Sequence, residues 1–364
     1  MKIFTCQCGN TLHFPNSECV SCGLMLGFVP DEVRLSAFTK DDEGKFRAAI
    51  NGKAYRQCQN YSEHDICNWM VPEEDSNVFC QSCRLTEIIP NLSEPENKKL
   101  WFRLEQAKRR LLYTCISLGL PIVNRFIAPD TGLGFAFLKN QETDQWGNEL
   151  FIKQYVSTGH ANGLITINLD EADHSMRMET REKMGERYRT LLGHFRHESG
   201  HYYWDRLIAN RPEIGEFRRL FGDERLDYMS AMQGYYDNGP AENWQNVWIS
   251  AYASMHPWED WAETWAHYLH MVDTLETANA FDFSIAGNLI ANPATKAKPQ
   301  NNAYTSVSFT HLFNDWCQLT KVLNGLNRSM GHEDAYPFII SISALDKLRF
   351  VHEIVMKNSH EVVA

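Results

Sequence analysis

No run in the 364-residue sequence approaches the roughly 20 apolar residues that a membrane-spanning helix needs. A mean hydropathy of −0.42 excludes a wholly membrane-embedded chain. The amino terminus, Met1-Lys2-Ile3-Phe4-Thr5-Cys6, lacks the apolar stretch and cleavage site of a secretory signal. A cytoplasmic location is therefore expected, and with it few disulfides. Positive charge is also scarce: 35 Lys and Arg stand against 46 Asp and Glu, a net charge of −11. Binding driven by counterion release needs a basic surface, so nucleic acid is not an expected partner. Internal repeats are missing, unless two cysteine quartets count as one. Low-complexity tracts are missing too, apart from the polar stretch 292–305, read as a surface loop. Disorder does not fit a chain with 10 Trp, 14 Tyr and 20 Phe to bury.

Ten cysteines are present, and eight of them precede residue 84. Cys6-x-Cys8 and Cys19-x2-Cys22 form one quartet, with Gly9 and Gly23 directly after the pairs. A tight turn there lets backbone amides point at thiolate sulfurs, and four thiolates suit a closed tetrahedral zinc site. Cys58, Cys67, Cys80 and Cys83 form a second quartet, with a loose first spacing and His64 as a substitute ligand. The competing view is free thiols in a reduced core. Two structural zinc ions are favoured, because a segment this poor in aliphatic residues folds only with metal-binding energy added. Cys115 and Cys317 sit in apolar helical patterns and are read as small core residues.

The proline-containing stretch 89–95 suggests a boundary. The expected division is a zinc-ribbon region at 1–93 and a catalytic domain at 94–364. Beyond it, the apolar stripe Leu100, Leu104, Ala107, Leu111 and Cys115 predicts a helix over 96–118. Apolar runs at 133–138 and 164–169 predict strands. Helical patterns cover 176–209, 258–275, 309–326 and 344–357.

The sharpest motif is His197-Glu198-Ser199-Gly200-His201. On a helix its two histidines lie one turn apart on the same face, where both imidazoles can bind one zinc. Glu198 borders that face and suits a general base that takes a proton from a zinc-activated water and passes it to the leaving amine. The bland alternative is a pair of histidines satisfied within a core. His194 lies upstream, but three imidazoles on one helix cannot reach one ion with good tetrahedral angles. A catalytic zinc needs a third protein ligand and one open position. The stretch 252–267 offers Glu259 and Glu263, four apart on one helical face, with Pro257 fitting the first turn. One can ligate the metal and the other can receive the N–H of a bound histidine. Glu259 is placed first, Glu263 second and Asp223 third; His267 and His270 are further imidazoles. A solvated acidic face is the competing view, and Trp258, Trp261, Trp265 and Tyr268 between the charges argue against it.

With Glu259-Asp260-Trp261-Ala262-Glu263 downstream of the histidine motif, the chain resembles the gluzincin metallopeptidases, closest to the branch typified by anthrax lethal factor. That resemblance implies Glu259 as zinc ligand and Glu263 behind it. It also implies Tyr252, seven residues before Glu259, as a donor to the oxyanion. Over nearly its full length the chain resembles a family of bacterial zinc-binding metallopeptidases with an N-terminal zinc ribbon. The resemblance runs through Cys6–Gly9, Cys19–Gly23, Cys80–Leu85, Ala107–Leu111, Arg196–Trp204, Phe221–Arg225 and Glu259–His267. The expected fold is α+β: a zinc-ribbon module, then a mainly helical minimal-gluzincin domain with a small sheet. The expected activity is zinc-dependent hydrolysis of a polypeptide substrate, with one catalytic and two structural zinc ions. The rival is a non-catalytic zinc-binding adaptor whose ribbon binds a protein partner. The presence of Glu198 opposes it, since a dead site has no use for a base.

Overall fold

A computed structural model describes residues 2–143, 149–184, 189–284, 303–305 and 308–359. It is a mixed α/β protein with small sheets, a cysteine-rich N-terminal region and a mainly helical remainder. The chain forms two compact units, residues 1–117 with 122–184, and residues 118–121 with 185–364.

The first unit opens with β1 (Phe4–Thr5) and β2 (Thr11–Leu12), a two-stranded ladder closed by the Cys6–Asn10 turn. Five antiparallel strands follow as a meander: β3 (Met25–Val29), β4 (Arg34–Lys40), β5 (Phe46–Ala48), β6 (Ala54–Gln57) and β7 (Met70–Pro72). The short helix α1 (Gln59–Ser62) sits between the last two. Phe28 of β3 and Trp69 are fully buried with ring centroids 4.6 Å apart, which gives the meander an aromatic core. Strand β8 (Thr86–Ile88) leads into α2 (Pro95–Ser117), the helix that the apolar stripe predicts. Leu104, Leu111 and Cys115 of that stripe are buried. Within this unit Arg109 of α2 donates to the Ile66 carbonyl at 2.6 Å, and Lys108 pairs with Glu105 at 2.8 Å with both side chains fully buried. Next come β9 (Gly134–Leu138), β10 (Gln141–Thr143), β11 (Glu149–Gln154), β12 (Gly159–Ala161) and β13 (Leu164–Asn168). The order β12-β13-β9-β8 makes a sheet with β9 parallel to both β13 and β8.

Helix α3 (His174–Met184) closes the first unit, and α4 (Leu191–Leu207) opens the helical second one. The continuous helix read at 176–209 is therefore corrected to two. The physical reason is Thr190, whose extended backbone and hydroxyl, accepting from Gly193 N, cap a fresh start. The second unit continues with α5 (Ile214–Phe221), α6 (Tyr228–Asn238), α7 (Pro257–Ala280), α8 (Phe309–Ser329) and α9 (Ile342–Asn358). Helices α4, α5, α8 and α9 all pack on α7. Side-chain caps from Asp227, His256, Ser308 and Ser341 explain where four of these helices begin. The stretch 292–305 lies outside the described residues up to 302. Its end, Ala303–Thr305, is a short turn whose Tyr304 is buried and donates to Asp273 at 2.8 Å, so that part is no surface loop.

Among the described residues no helix is long and apolar enough to cross a membrane.

Candidate metal centre

Helix α4 crosses α7 at Gly200. A Cβ there would lie 2.8 Å from the Ala262 Cα, so only glycine admits this close approach. Two indoles staple the crossing: Trp261 Nε1 donates to the Gly200 carbonyl at 2.8 Å, and Trp265 Nε1 to Ser199 Oγ at 3.2 Å. Both indoles are fully buried. The consequence is that the first turn of α7 lies beside the histidines of α4.

There Glu259 meets both imidazoles. Its Oε2 is 3.0 Å from His197 Nε2, and its Oε1 is 3.4 Å from His201 Nε2. Donor atoms of all three side chains lie within 4.8 Å of one another. The other nitrogen of His197, Nδ1, is 2.7 Å from Glu263 Oε1. Ser250 Oγ in turn donates to Glu263 Oε2 at 2.6 Å. Both glutamates therefore meet the one imidazole, on its opposite nitrogens. Trp258 packs on His201 with ring centroids 3.9 Å apart.

The electrostatics ask for a cation. Burial alone would lower the pKa of His197, but Glu259 and Glu263 outweigh it and raise it well above the usual value. Burial would likewise raise Glu259, but His201 and His197 win and hold the carboxylate well below its normal range. Glu259 Oε2 is buried and accepts no hydrogen bond among the described residues. With the His197 Nδ1 proton directed at Glu263, a neutral His197 would aim a lone pair at that oxygen. One positive charge resolves the clash: a proton on Nε2, or a divalent cation bound by all three side chains. Two imidazoles and a carboxylate are a donor set suited to zinc with an open position. Glu259 lies in the first turn of α7, where the helix dipole also favours its charge.

Glu198 is buried next to this cluster. Burial raises its pKa, against the pull of both histidines. Tyr252 stands on a short turn before α7, its ring 6.0 Å from that of His197. Burial, with Glu259 nearby, pushes its phenol upward and keeps it a donor. Sequence reasoning missed two residues. Tyr228 of α6 donates to Glu259 Oε1 at 2.9 Å, and Ser250 holds Glu263. Neither carries a local signal, since each reaches the centre only through tertiary packing. The other candidates lie elsewhere. Asp223 is paired with Arg225 at 2.7 Å. His267 Nδ1 contacts Tyr336 Oη at 2.7 Å, and the His270 ring packs on Trp316. His194 is not part of the ligand cluster.

The cysteines gather in two groups, Cys6, Cys8, Cys19 and Cys22, then Cys58, Cys67, Cys80 and Cys83. None of the eight is in a disulfide. The Sγ pairs Cys6–Cys22, Cys8–Cys19 and Cys67–Cys80 are each 3.7 Å apart. A tetrahedral ion with Zn–S of ~2.3 Å spaces its sulfurs by about 3.8 Å. Backbone amides of Trp69, Cys80 and Cys83 point at sulfurs of the second group at 3.3–3.4 Å, ready to stabilise thiolate charge. His64 is not among these ligands; its ring packs on Trp101.

The family described as "Putative zinc-binding metallo-peptidase" matches residues 97–354. A zinc-ribbon domain matches residues 3–94. Uncharacterized proteins of Mycobacterium bovis and of two Mycobacterium tuberculosis strains are each 40% identical over 357 residues, 98% of this chain and 95% of theirs. No solved structure gives a significant match.

Proposed function

The chain belongs to the zinc-binding metallopeptidase family, and from that premise we propose that it is a gluzincin-type peptidase hydrolysing peptide bonds of a polypeptide substrate. One observation carries this reading: Glu259 brings a buried carboxylate without a hydrogen bond at Oε2 to the Nε2 atoms of His197 and His201.

His197, His201 and Glu259 are the residues that would hold the ion. Zinc held there would supply Lewis acidity toward the attacking water and the scissile carbonyl. Glu198, with its pKa raised by burial, accepts the proton of the attacking water and delivers it to the leaving nitrogen. Tyr252 donates to the substrate oxygen on which negative charge develops. Glu263, held by Ser250, fixes the ring of His197 through Nδ1. The catalytic segment is placed at 94–364. The two cysteine quartets of the ribbon at 1–93 would hold two structural zinc ions, and the ribbon would offer a surface for a protein partner. Three zinc ions per chain follow.

The test is Glu198→Gln, compared with the wild type on an unstructured protein substrate. The variant keeps its zinc and loses cleavage by about 10²–10⁴-fold. A wild type that cleaves no faster than the variant overturns the proposal.

A further inference from the structure

We propose that Tyr228 is the positioning residue of the metal centre: its hydroxyl engages one oxygen of Glu259, leaves the other for the ion, and couples helix α6 to metal binding. This rests on the reading of His197, His201 and Glu259 as zinc ligands. The two oxygens of Glu259 are unequal. Oε1 accepts from Tyr228 Oη at 2.9 Å and lies 3.4 Å from His201 Nε2. Oε2 accepts no hydrogen bond and faces His197 Nε2 at 3.0 Å. A carboxylate with both oxygens free can chelate one ion through both. With one oxygen committed to a phenol it offers the ion the other. A one-oxygen ligand keeps the coordination number low and a position open for water.

Helix α6 depends on these contacts, because none of its residues is buried. The Tyr228 ring lies 5.3 Å from His256 and 6.0 Å from Trp258, and the Tyr235 ring meets Tyr252 edge-on at 5.7 Å. The Leu226 carbonyl just before the helix is 3.1 Å from His256 Nε2. These partners belong to the metal centre or to the start of α7, which carries Glu259. An 11-residue helix is marginal alone in water, so its order follows that of its anchors.

The experiment uses the full chain with its cysteine sites loaded and the third site stripped by a mild chelator. Zinc affinity is then measured by chelator competition, and cobalt(II) is added to the same site for its absorption spectrum. Tyr228→Phe is expected to bind zinc about 10–100-fold more weakly. Its cobalt bands weaken, because Glu259 is released to chelate through both oxygens and the coordination number rises. Hydrogen exchange in 228–238, slowed by zinc in the wild type, responds less in the variant. The metal-free thermal midpoint of Tyr228→Phe falls by no more than the loss of its one hydrogen bond to Glu259 accounts for, since α6 has no buried residue. A Tyr228→Phe protein with wild-type zinc affinity and an unchanged cobalt spectrum overturns the proposal while the peptidase reading stands. A wild type that takes up no more metal than the His197→Ala/His201→Ala double variant overturns both.

Discussion

Replacing Gly200 with alanine should separate the stability of the helical unit from the geometry of its metal centre. The new Cβ would lie 2.8 Å from Ala262 Cα, 3.2 Å from Trp265 Cβ and 3.3 Å from Ala262 Cβ. Carbon atoms in contact prefer roughly 3.5–4.0 Å, so α4 and α7 must part by about 1 Å at the crossing. The closest obstacle is backbone, which cannot rotate away. Overpacking of this kind costs about 1–3 kcal/mol. The better helix propensity of alanine offsets about 1 kcal/mol of it. Net destabilisation of the metal-free protein should be about 1 kcal/mol. The metal centre has far less tolerance, because ligand distances must hold within about 0.2 Å. Zinc affinity at His197, His201 and Glu259 should therefore fall by at least about 10-fold. Adding Ala262→Gly removes the methyl group at 262 but leaves the closer backbone carbon in place, so recovery should be partial. Denaturant unfolding and chelator competition read the two effects separately. A Gly200→Ala protein that is more stable than wild type and binds zinc as well would refute the reasoning.

Glu259→Ala should lose the third zinc more readily than Glu263→Ala, which weakens it by about 10–100-fold through a freed His197 ring; the reverse order in metal counts would exchange their roles. The cysteine sites should release zinc in two phases, because Cys8 and Cys22 are exposed whereas Cys58, Cys67, Cys80 and Cys83 are all buried. A thiol-reactive probe with a zinc indicator should see the first quartet emptied before the second, and simultaneous release would count against this assignment. Burial lowers the pKa of His267 to about 4, from the 6.5 of a free side chain. A depressed folded value means stability that is present above pH 6.5 and lost as pH falls toward about 4, up to about 3 kcal/mol. His267→Gln should flatten this part of the stability profile; an unchanged slope would contradict it.

The elements legible in the sequence are those whose signals are local. Helix α2 shows its buried stripe at three- and four-residue steps, and α7 announces itself with Pro257 and an alternation of aromatics and acids. The HESGH spacing is equally local, since two imidazoles one turn apart need nothing but a helix. The break at Thr190 was hidden because the polar and apolar pattern runs on through it, and a lone threonine cap does not interrupt periodicity. The meander of β3 to β7 was illegible because its strands are three to seven residues long and their burial does not alternate; β4 buries four residues in succession. Tyr228 and Ser250 lie 31 and 13 residues from the glutamates they hold, a relation that the packing of α6 and the turn before α7 creates. Gly200 stood in view as a variable position of the motif. Its role as the point where two helices touch is a property of the pair, not of either sequence.

The central claim is that two imidazoles from α4 and one carboxylate from α7 share a single zinc ion. Anomalous diffraction at the zinc edge from crystals of the full chain tests it most directly. The predicted result is a peak bonded to His197 Nε2, His201 Nε2 and a Glu259 oxygen at ~2.0–2.2 Å, separate from the two cysteine sites. Zinc confined to the cysteine sites, or a third peak held by other residues, would contradict it.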